Sequence, residues 1–162
     1  MNTVSSALAN NLRAVFFGGN WSVSDMQSAL EDTPWTLAVA NNGNANSIAD
    51  LVMHIGYYLR PAREVLEGKP LVGKDADSFK TPSITSQAEW DSFVRQTMEA
   101  AEALAVVIER QDDDSLFKNF HGTTYGTVFR NLMGVIEHTH YHLGQIVLLK
   151  KMAAVAPSSV GT

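Results

Sequence analysis

The sequence predicts an all-α protein, a four-helix bundle with short accessory helices, in a single domain spanning residues 1–152. Four long segments carry apolar side chains at spacings of three and four residues, the pattern of an amphipathic helix. Capping boxes precede two of these segments, and the alternation typical of strands is almost absent. Residues 153–162 are small and polar, which predicts a flexible C-terminal tail.

The N-terminal part of the chain predicts one long helix and one short one. Apolar periodicity covers residues 3–17 and ends at the glycine pair Gly18-Gly19. A short helix over residues 22–30 follows, opened by Ser22. Residues 33–46 are rich in Asn and Gly towards their end and predict a loop.

The second long helix has the clearest start signal in the sequence. Its capping box runs from Ser47 to Asp50, and the apolar stripe that follows ends at Gly68. Pro61 lies inside this helix and predicts a kink or a break, because proline lacks an N–H and clashes with the preceding turn. Residues 68–85 hold glycines, prolines and charges, and they predict a loop between bundle helices.

The last two long helices complete the predicted bundle. One starts after the capping box Ser86-Gln-Ala-Glu89 and runs to about residue 110, and the other covers about residues 126–152. The tryptophans are expected to be packing anchors of this bundle: Trp21, Trp35 and Trp90.

Composition excludes several classes of protein. The 162 residues include no cysteine, so disulfide scaffolds, thiolate metal sites and a cysteine nucleophile are ruled out. Lys and Arg number 12 against 17 Asp and Glu, and no stretch is basic, which argues against binding to nucleic acid. No apolar run approaches the length of a membrane span. We expect a soluble, cytoplasmic protein with neither a nucleic-acid nor a membrane partner.

Histidines carry the main chemical signal. His138 and His142 are four residues apart, so they lie about one turn apart on one helix face and can ligate one ion together. His54 occupies the edge of the apolar stripe of the second long helix, where a hydrogen-bonded structural role is the more common one. The other two, His121 and His140, are expected to be surface or loop residues.

Polar residues flank these histidines on both helices. Asn131 and Gln145 lie one to two turns from the His138 and His142 pair, and Asp50 and Tyr58 lie on either side of His54. Such neighbours suit the outer shell or the substrate contacts of a metal site. In a bundle, the two polar boundaries can face each other around a cleft.

Other catalytic signatures are missing from the sequence. The residue after His138 is Thr139, so the glutamate of a His-Glu-x-x-His metalloprotease is lacking. Phosphate-binding glycine motifs, a Gly-x-Ser-x-Gly elbow and the Glu-x-x-His of di-iron bundles are also absent. No residue stands out as a general base.

Two segments resemble a known superfamily. Residues 137–146, with the sequence Glu-His-Thr-His-Tyr-His-Leu-Gly-Gln-Ile, resemble the closing helix of the DinB/YfiT-like four-helix bundles, whose pattern is His-x-x-x-His-x-Gly-Gln. Residues 47–55 resemble the second helix of that superfamily, which supplies its first metal-binding histidine. The likeness extends from residue 47 to residue 151.

This resemblance implies one divalent metal ion, nickel or zinc, held by His54, His138 and His142, often in a homodimer. Relatives of known activity include S-transferases and isomerases that use a low-molecular-weight thiol, and others are labelled hydrolases. Three neutral imidazoles leave a coordination position open, as catalytic sites require. We therefore expect a metal-dependent transferase or hydrolase acting on a small molecule.

Two alternatives remain open from the sequence. The first is a non-enzymatic bundle that binds a metal or a ligand, with the histidines joining two helices. The second is a protein linked to DNA damage, which would show a salt-dependent affinity for DNA.

Overall fold

Six α-helices and two 3₁₀ turns make up the described part of the computed structural model, which covers residues 3–41, 43 and 45–155. The helices are α1 (Val4–Phe17), α2 (Met26–Leu30), α3 (Trp35–Ala38), α4 (Ile48–Leu66), α5 (Gln87–Glu109) and α6 (Val128–Val155). The 3₁₀ turns are Asp75–Asp77 and Asp113–Phe117. The described residues form no β-strand, and an isolated bridge joins Asn119 to Thr127. None of the described helices has the length and apolarity needed to cross a membrane.

The four long helices pack as a bundle around one apolar core. Each of α1 and α4 packs against both α5 and α6. Gly56 of α4 faces Thr97 of α5 so closely that a Cβ there would lie 3.3 Å from the threonine hydroxyl. The largest fully buried side chains are Leu12, Phe16, Met26, Ile48, Leu51, Ile55, Leu59, Trp90, Leu104, Ile108, Leu116 and Leu132. The all-α prediction is confirmed.

Both predicted capping boxes mark helix starts. Ser47 and Asp50 bond reciprocally, each side chain accepting from the backbone N–H of the other, at 3.1 and 3.0 Å. At the second box, Ser86 accepts from the N–H of Glu89 at 3.3 Å. The Glu89 carboxylate accepts instead from the N–H of Thr85, one residue before the cap, at 2.7 Å.

Two boundaries in the N-terminal half differ from the prediction. The second helix starts at Met26, because Asp25 is its cap and accepts from the N–H of Ser28 at 2.7 Å. Ser22 bonds to Asn20 instead. The predicted loop over residues 33–46 contains the single-turn helix α3, whose N-cap is Pro34 in an extended conformation.

The predicted alternatives at Pro61 were a kink or a break, and the break does not occur. Helix α4 continues through Pro61, since Leu59 and Ala62 on either side are buried in the core and their packing offsets the lost hydrogen bond. Helix α6 extends past the predicted end at Met152 to Val155, through two alanines that favour helix. The rest of the predicted tail, residues 156–162, lies outside the described residues.

The expectation that all three tryptophans are packing anchors was wrong for Trp21. Trp90 is buried and Trp35 packs against the core, but Trp21 is 99% exposed. The side chain of Asn20 holds this turn, donating to the carbonyls of Ala14 and Ser24 at 2.8 and 2.7 Å. The backbone so fixed directs the indole into solvent.

Candidate metal centre

Three histidines meet where α4 faces α6. The Nε2 atom of His138 lies 2.9 Å from Nε2 of His54 and 3.0 Å from Nε2 of His142. His54 and His142 are buried, while His138 is half-buried. Each histidine offers one ring nitrogen to a common point, so the group could hold a metal ion.

A hydrogen-bond chain fixes the proton on His54. Ser78 donates its hydroxyl hydrogen to the carbonyl of Asp75, with 2.6 Å between the oxygens. The same hydroxyl oxygen lies 2.8 Å from Nδ1 of His54, so it accepts there and Nδ1 carries the hydrogen. In the neutral ring, Nε2 of His54 therefore presents a lone pair to the centre.

Gln145 fixes the position of the hydrogen on His142. Its side-chain oxygen lies 2.8 Å from Nδ1 of His142, and an amide oxygen can only accept. The lone pair of His142 is consequently on Nε2, facing His138. A neutral His138 has at most one hydrogen to give at Nε2, which cannot satisfy both lone pairs, whereas a cation can bind all three nitrogens.

Burial favours the neutral forms of His138 and His54. Burial and the neighbouring imidazoles of His142 and His54 lower the pKa of His138 from 6.5 to about 4. The pKa of His54 is also lowered, by burial first and by His142 second, against an opposing effect of Asp75. Neutral imidazole is the form that binds metals, so near neutral pH both rings are in the ligating state.

Aromatic side chains cover the centre. The ring of Phe79 stacks on His54 with centroids 4.1 Å apart and planes at 12°. Tyr58 places its edge against both His54 and His138, at 5.2 and 5.1 Å. Tyr141 contacts His142 at 4.9 Å. Phe79 and Tyr141 are themselves 44% and 66% exposed, so these rings flank the imidazoles and limit how they can rotate.

Residues 74–81, which we term the strap, lie along α4 in the opposite direction. Near one end, Thr81 donates to Asp50 at 2.6 Å, and Ser78 meets His54 one turn further along α4. At the other end, the hydroxyl of Tyr57 donates to the carbonyl of Lys74 and accepts from its N–H, at 2.9 and 2.7 Å. Successive turns of one helix face thus hold the strap over the centre.

The four predicted neighbours of the histidines have different positions. Gln145 bonds directly to His142, and Tyr58 contacts two of the three rings. Asp50 bonds to Ser47 and Thr81, at the end of the strap, rather than to a histidine. Asn131 donates to backbone carbonyls at 125 and 127, two turns from His138.

The remaining histidines lie outside the group. His121 is exposed in the loop before α6, as expected. His140 is half-buried on α6, and its Nδ1 is buried without a hydrogen-bond partner. The sequence had therefore predicted a more exposed position than His140 occupies.

Sequence reasoning missed Ser78 and Phe79. Both lie in the segment interpreted only as a connection, where neither residue type nor spacing marks them. Ser78 is nonetheless 1% exposed, and its bond fixes the hydrogen on His54. The one available signal is the polar face of α4, since Asp50, His54 and Tyr57 recur at one-turn spacing and each binds a strap residue.

The spacing of the nitrogens suits one ion. Two nitrogens bonded at about 2.1 Å to a metal are about 3.0 Å apart at a right angle and about 3.4 Å apart at the tetrahedral angle. The observed separations of 2.9 and 3.0 Å match the right-angle value and are about 0.4 to 0.5 Å shorter than the tetrahedral one. His54, His138 and His142 would hold the ion, with Ser78 and Gln145 orienting two of them.

A cavity of about 260 Å³ opens beside the centre, in the same groove between α4 and α6. Tyr58, which contacts two histidines, forms part of its wall, as do Asn131 and Val135 of α6. A larger cavity of about 530 Å³ lies on the α5 side of α4 and is lined by Arg60 and Lys80 among others. Of these two cavities, the smaller one shares Tyr58 with the histidine group.

Comparison with protein-family models, with curated proteins and with solved structures gave no match to this chain. The geometry of the centre and the sequence patterns therefore carry the functional argument.

Proposed function

We propose that this chain is a metal-dependent enzyme of the DinB/YfiT-like type, a thiol-dependent S-transferase or a hydrolase acting on a small molecule. One observation carries the proposal. Two buried imidazoles, His54 and His142, have their hydrogens fixed on Nδ1, so that both Nε2 lone pairs converge with His138 within 3.0 Å. The ion proposed for this place is nickel or zinc.

The open coordination of the centre supports catalysis over a purely structural role. Among the described residues, the potential ligand group consists of three histidines, with no cysteine or carboxylate included. A bound divalent ion would supply Lewis acidity that activates a water or a thiol near neutral pH. The protein would hold and orient the ligands through Ser78 and Gln145, and Phe79 and Tyr58 would restrict the ring of His54.

Cobalt substitution tests whether a coordination position is open. The protein is loaded with Co²⁺ and its visible spectrum is followed while a small thiol is added. We expect a thiolate-to-cobalt absorption band in the parent, and none in a His138→Ala variant. A parent that binds one Co²⁺ and shows no change with thiol or anion would have a closed, structural site, which favours the non-enzymatic alternative.

The reaction is then sought with nickel-loaded and zinc-loaded protein. A panel of low-molecular-weight thiols is combined with electrophilic acceptors, and a panel of ester and amide substrates is run in parallel. His121→Ala is the matched control, because His121 is exposed and outside the centre. Activity that is metal-dependent, lost in His138→Ala and kept in His121→Ala supports the proposal.

We also propose that two copies of the chain associate. Helix α6 carries an exposed apolar stripe at a spacing of seven, four and three residues: Tyr141, Leu148, Met152 and Val155. A stripe of this kind can pack against its own copy in a two-fold dimer. Light scattering of the parent should give twice the chain mass, and Leu148→Glu should give a monomer.

A further inference from the structure

Aromatic residues and one carboxylate line the cavity beside the three-histidine centre. Four aromatic residues line it: Tyr57 and Tyr58 from α4, and Phe120 and Tyr125 from the segment before α6. Asp75 of the strap contributes a carboxylate, and the lining includes no lysine, arginine or histidine. The cavity therefore combines several aromatic side chains with one negative charge.

Asp75 is free to act on a ligand. No ion pair forms between its carboxylate and a basic side chain of the described residues. The single side-chain hydrogen bond that it receives is a long one, 3.3 Å from the hydroxyl of Tyr58. Its backbone carbonyl is engaged by Ser78, which fixes the residue at the cavity wall.

The far wall of the cavity is also held in place. The side-chain amide of Asn131 donates to the carbonyls of Tyr125 and Thr127, both at 2.8 Å. Tyr57, through its two bonds to Lys74, fixes the near side. Gly73 adjoins this tyrosine, and a Cβ there would lie 2.8 Å from the Tyr57 hydroxyl oxygen.

We infer that this cavity binds the alkylammonium end of a small molecule whose other end reaches the three-histidine centre. Aromatic faces around a carboxylate are the chemistry that recognises ammonium groups, quaternary ones above all. The cavity of about 530 Å³ on the α5 side of α4 also includes aromatic residues and Asp77, but Arg60 and Lys80 in its lining disfavour a cationic ligand. The identity of this ligand class rests on the proposed function, because the second end of the molecule would meet the metal.

The groove sets the length of the ligand. Val135 and Asn131 precede His138 by three and seven residues on α6 and both line the cavity. At about 1.5 Å of rise per residue, the ammonium would lie about 5 to 10 Å from the metal-binding group. This spacing also keeps the positively charged ammonium group apart from the positively charged metal ion.

The test uses three soluble probes of one shape that differ in charge. They are choline, its neutral isostere 3,3-dimethylbutan-1-ol, and the anion 3,3-dimethylbutanoate. Affinity for the full chain is measured by nuclear magnetic resonance titration. We expect choline to bind at least tenfold more tightly than the neutral probe, and the anion to bind most weakly.

Matched variants locate the binding. Asp75→Asn should reduce the preference for choline to less than threefold, and Tyr125→Leu should weaken the binding of choline and of the neutral probe together. Asp32→Asn, which removes an exposed carboxylate elsewhere, should leave the preference intact. Equal binding of choline and its neutral isostere by the parent, or a preference unchanged by Asp75→Asn, would overturn the inference.

Each titration is run with and without metal, and metal content is measured separately. Choline selectivity in a protein that binds no metal would support the cavity and contradict the proposed function. A protein that binds metal but shows no preference for choline would contradict the inference about the cavity and leave the metal site of the proposed function supported. Circular dichroism of each variant shows whether the fold is retained, and the two variants alter different walls of the cavity.

Discussion

The hydroxyl of Ser78 accepts a hydrogen bond from Nδ1 of His54 across 2.8 Å, while donating its own hydrogen to the carbonyl of Asp75. Ser78 thereby determines which nitrogen of His54 can bind a metal. The contact joins α4 to a residue 24 positions further along the chain. The strap is consequently part of the centre as well as a connection between helices.

Replacing Ser78 with alanine should weaken metal binding while keeping the fold. Loss of an outer-shell hydrogen bond to a ligating histidine typically costs about 10- to 100-fold in metal affinity. We expect a loss in that range, measured by competition with a chromophoric chelator. Ser83→Ala is the control, because Ser83 is exposed in the same loop. Equal affinities of the two variants would contradict the assigned role of Ser78.

Two substitutions at Gln145 separate its hydrogen bond from its bulk. Gln145→Leu removes the acceptor from Nδ1 of His142 and should lower metal affinity about 10- to 100-fold. Gln145→Glu keeps an oxygen at that position and should bind metal at least ten times more tightly than the leucine variant. If both variants bind equally, Gln145 does not act through its oxygen.

Asp50 should affect stability more than metal binding. Burial raises the pKa of Asp50, but hydrogen bonds from Thr81 and Ser47 outweigh it and lower the pKa below its ordinary value. Asp50→Ala removes half of the capping box and the end of the strap, and should cost about 1 kcal/mol of unfolding free energy. Denaturant unfolding measures this loss against Asp32→Ala. A loss of metal affinity as large as that of Ser78→Ala would show that Asp50 orients the ligands.

The metal-free protein should lose stability as the pH falls below about 6.5. His138 has a pKa of about 4 when folded and an ordinary value of 6.5, so between these values the unfolded chain binds more protons. The lowered pKa of His54 acts in the same direction. The stability that depends on neutral His138 is therefore complete above about pH 6.5, and it decreases as the pH falls towards about 4, the pKa of His138 in the folded protein.

Urea unfolding with a chelator present, at about pH 7.5 and about pH 5, measures this effect. The comparison is made with His138→Gln, since the carboxylates titrate alike in both proteins. The parent should lose more stability than the variant over this interval. An equal loss would mean that His138 is not desolvated in the folded protein.

Local signals predicted the bundle well because they lie within single helices. The boxes at Ser47 and Ser86 start α4 and α5 where expected, and the spacing of His138 and His142 places both on one face of α6. Their encounter with His54 depends on how α4 packs against α6, which the polar boundaries of the two helices allowed but no spacing within the sequence required.

Long-range contacts of the irregular segments could not be predicted. Ser78 and Phe79 lie next to His54 only because the strap folds back along α4, and no periodicity records this path. Trp21 was misplaced for a related reason. Its exposure follows from the bonds of Asn20, a local network that overrides the tendency of a large aromatic residue to be buried.

The metal content of the purified chain tests the central claim most directly. Parent and a His54→Ala/His138→Ala/His142→Ala variant are dialysed against nickel or zinc and measured by mass spectrometry of the metal, with His121→Ala as the control. We predict about one ion per chain in the parent and the control, and almost none in the triple variant. Stoichiometric metal retained by the triple variant, or none bound by the parent, would contradict the account.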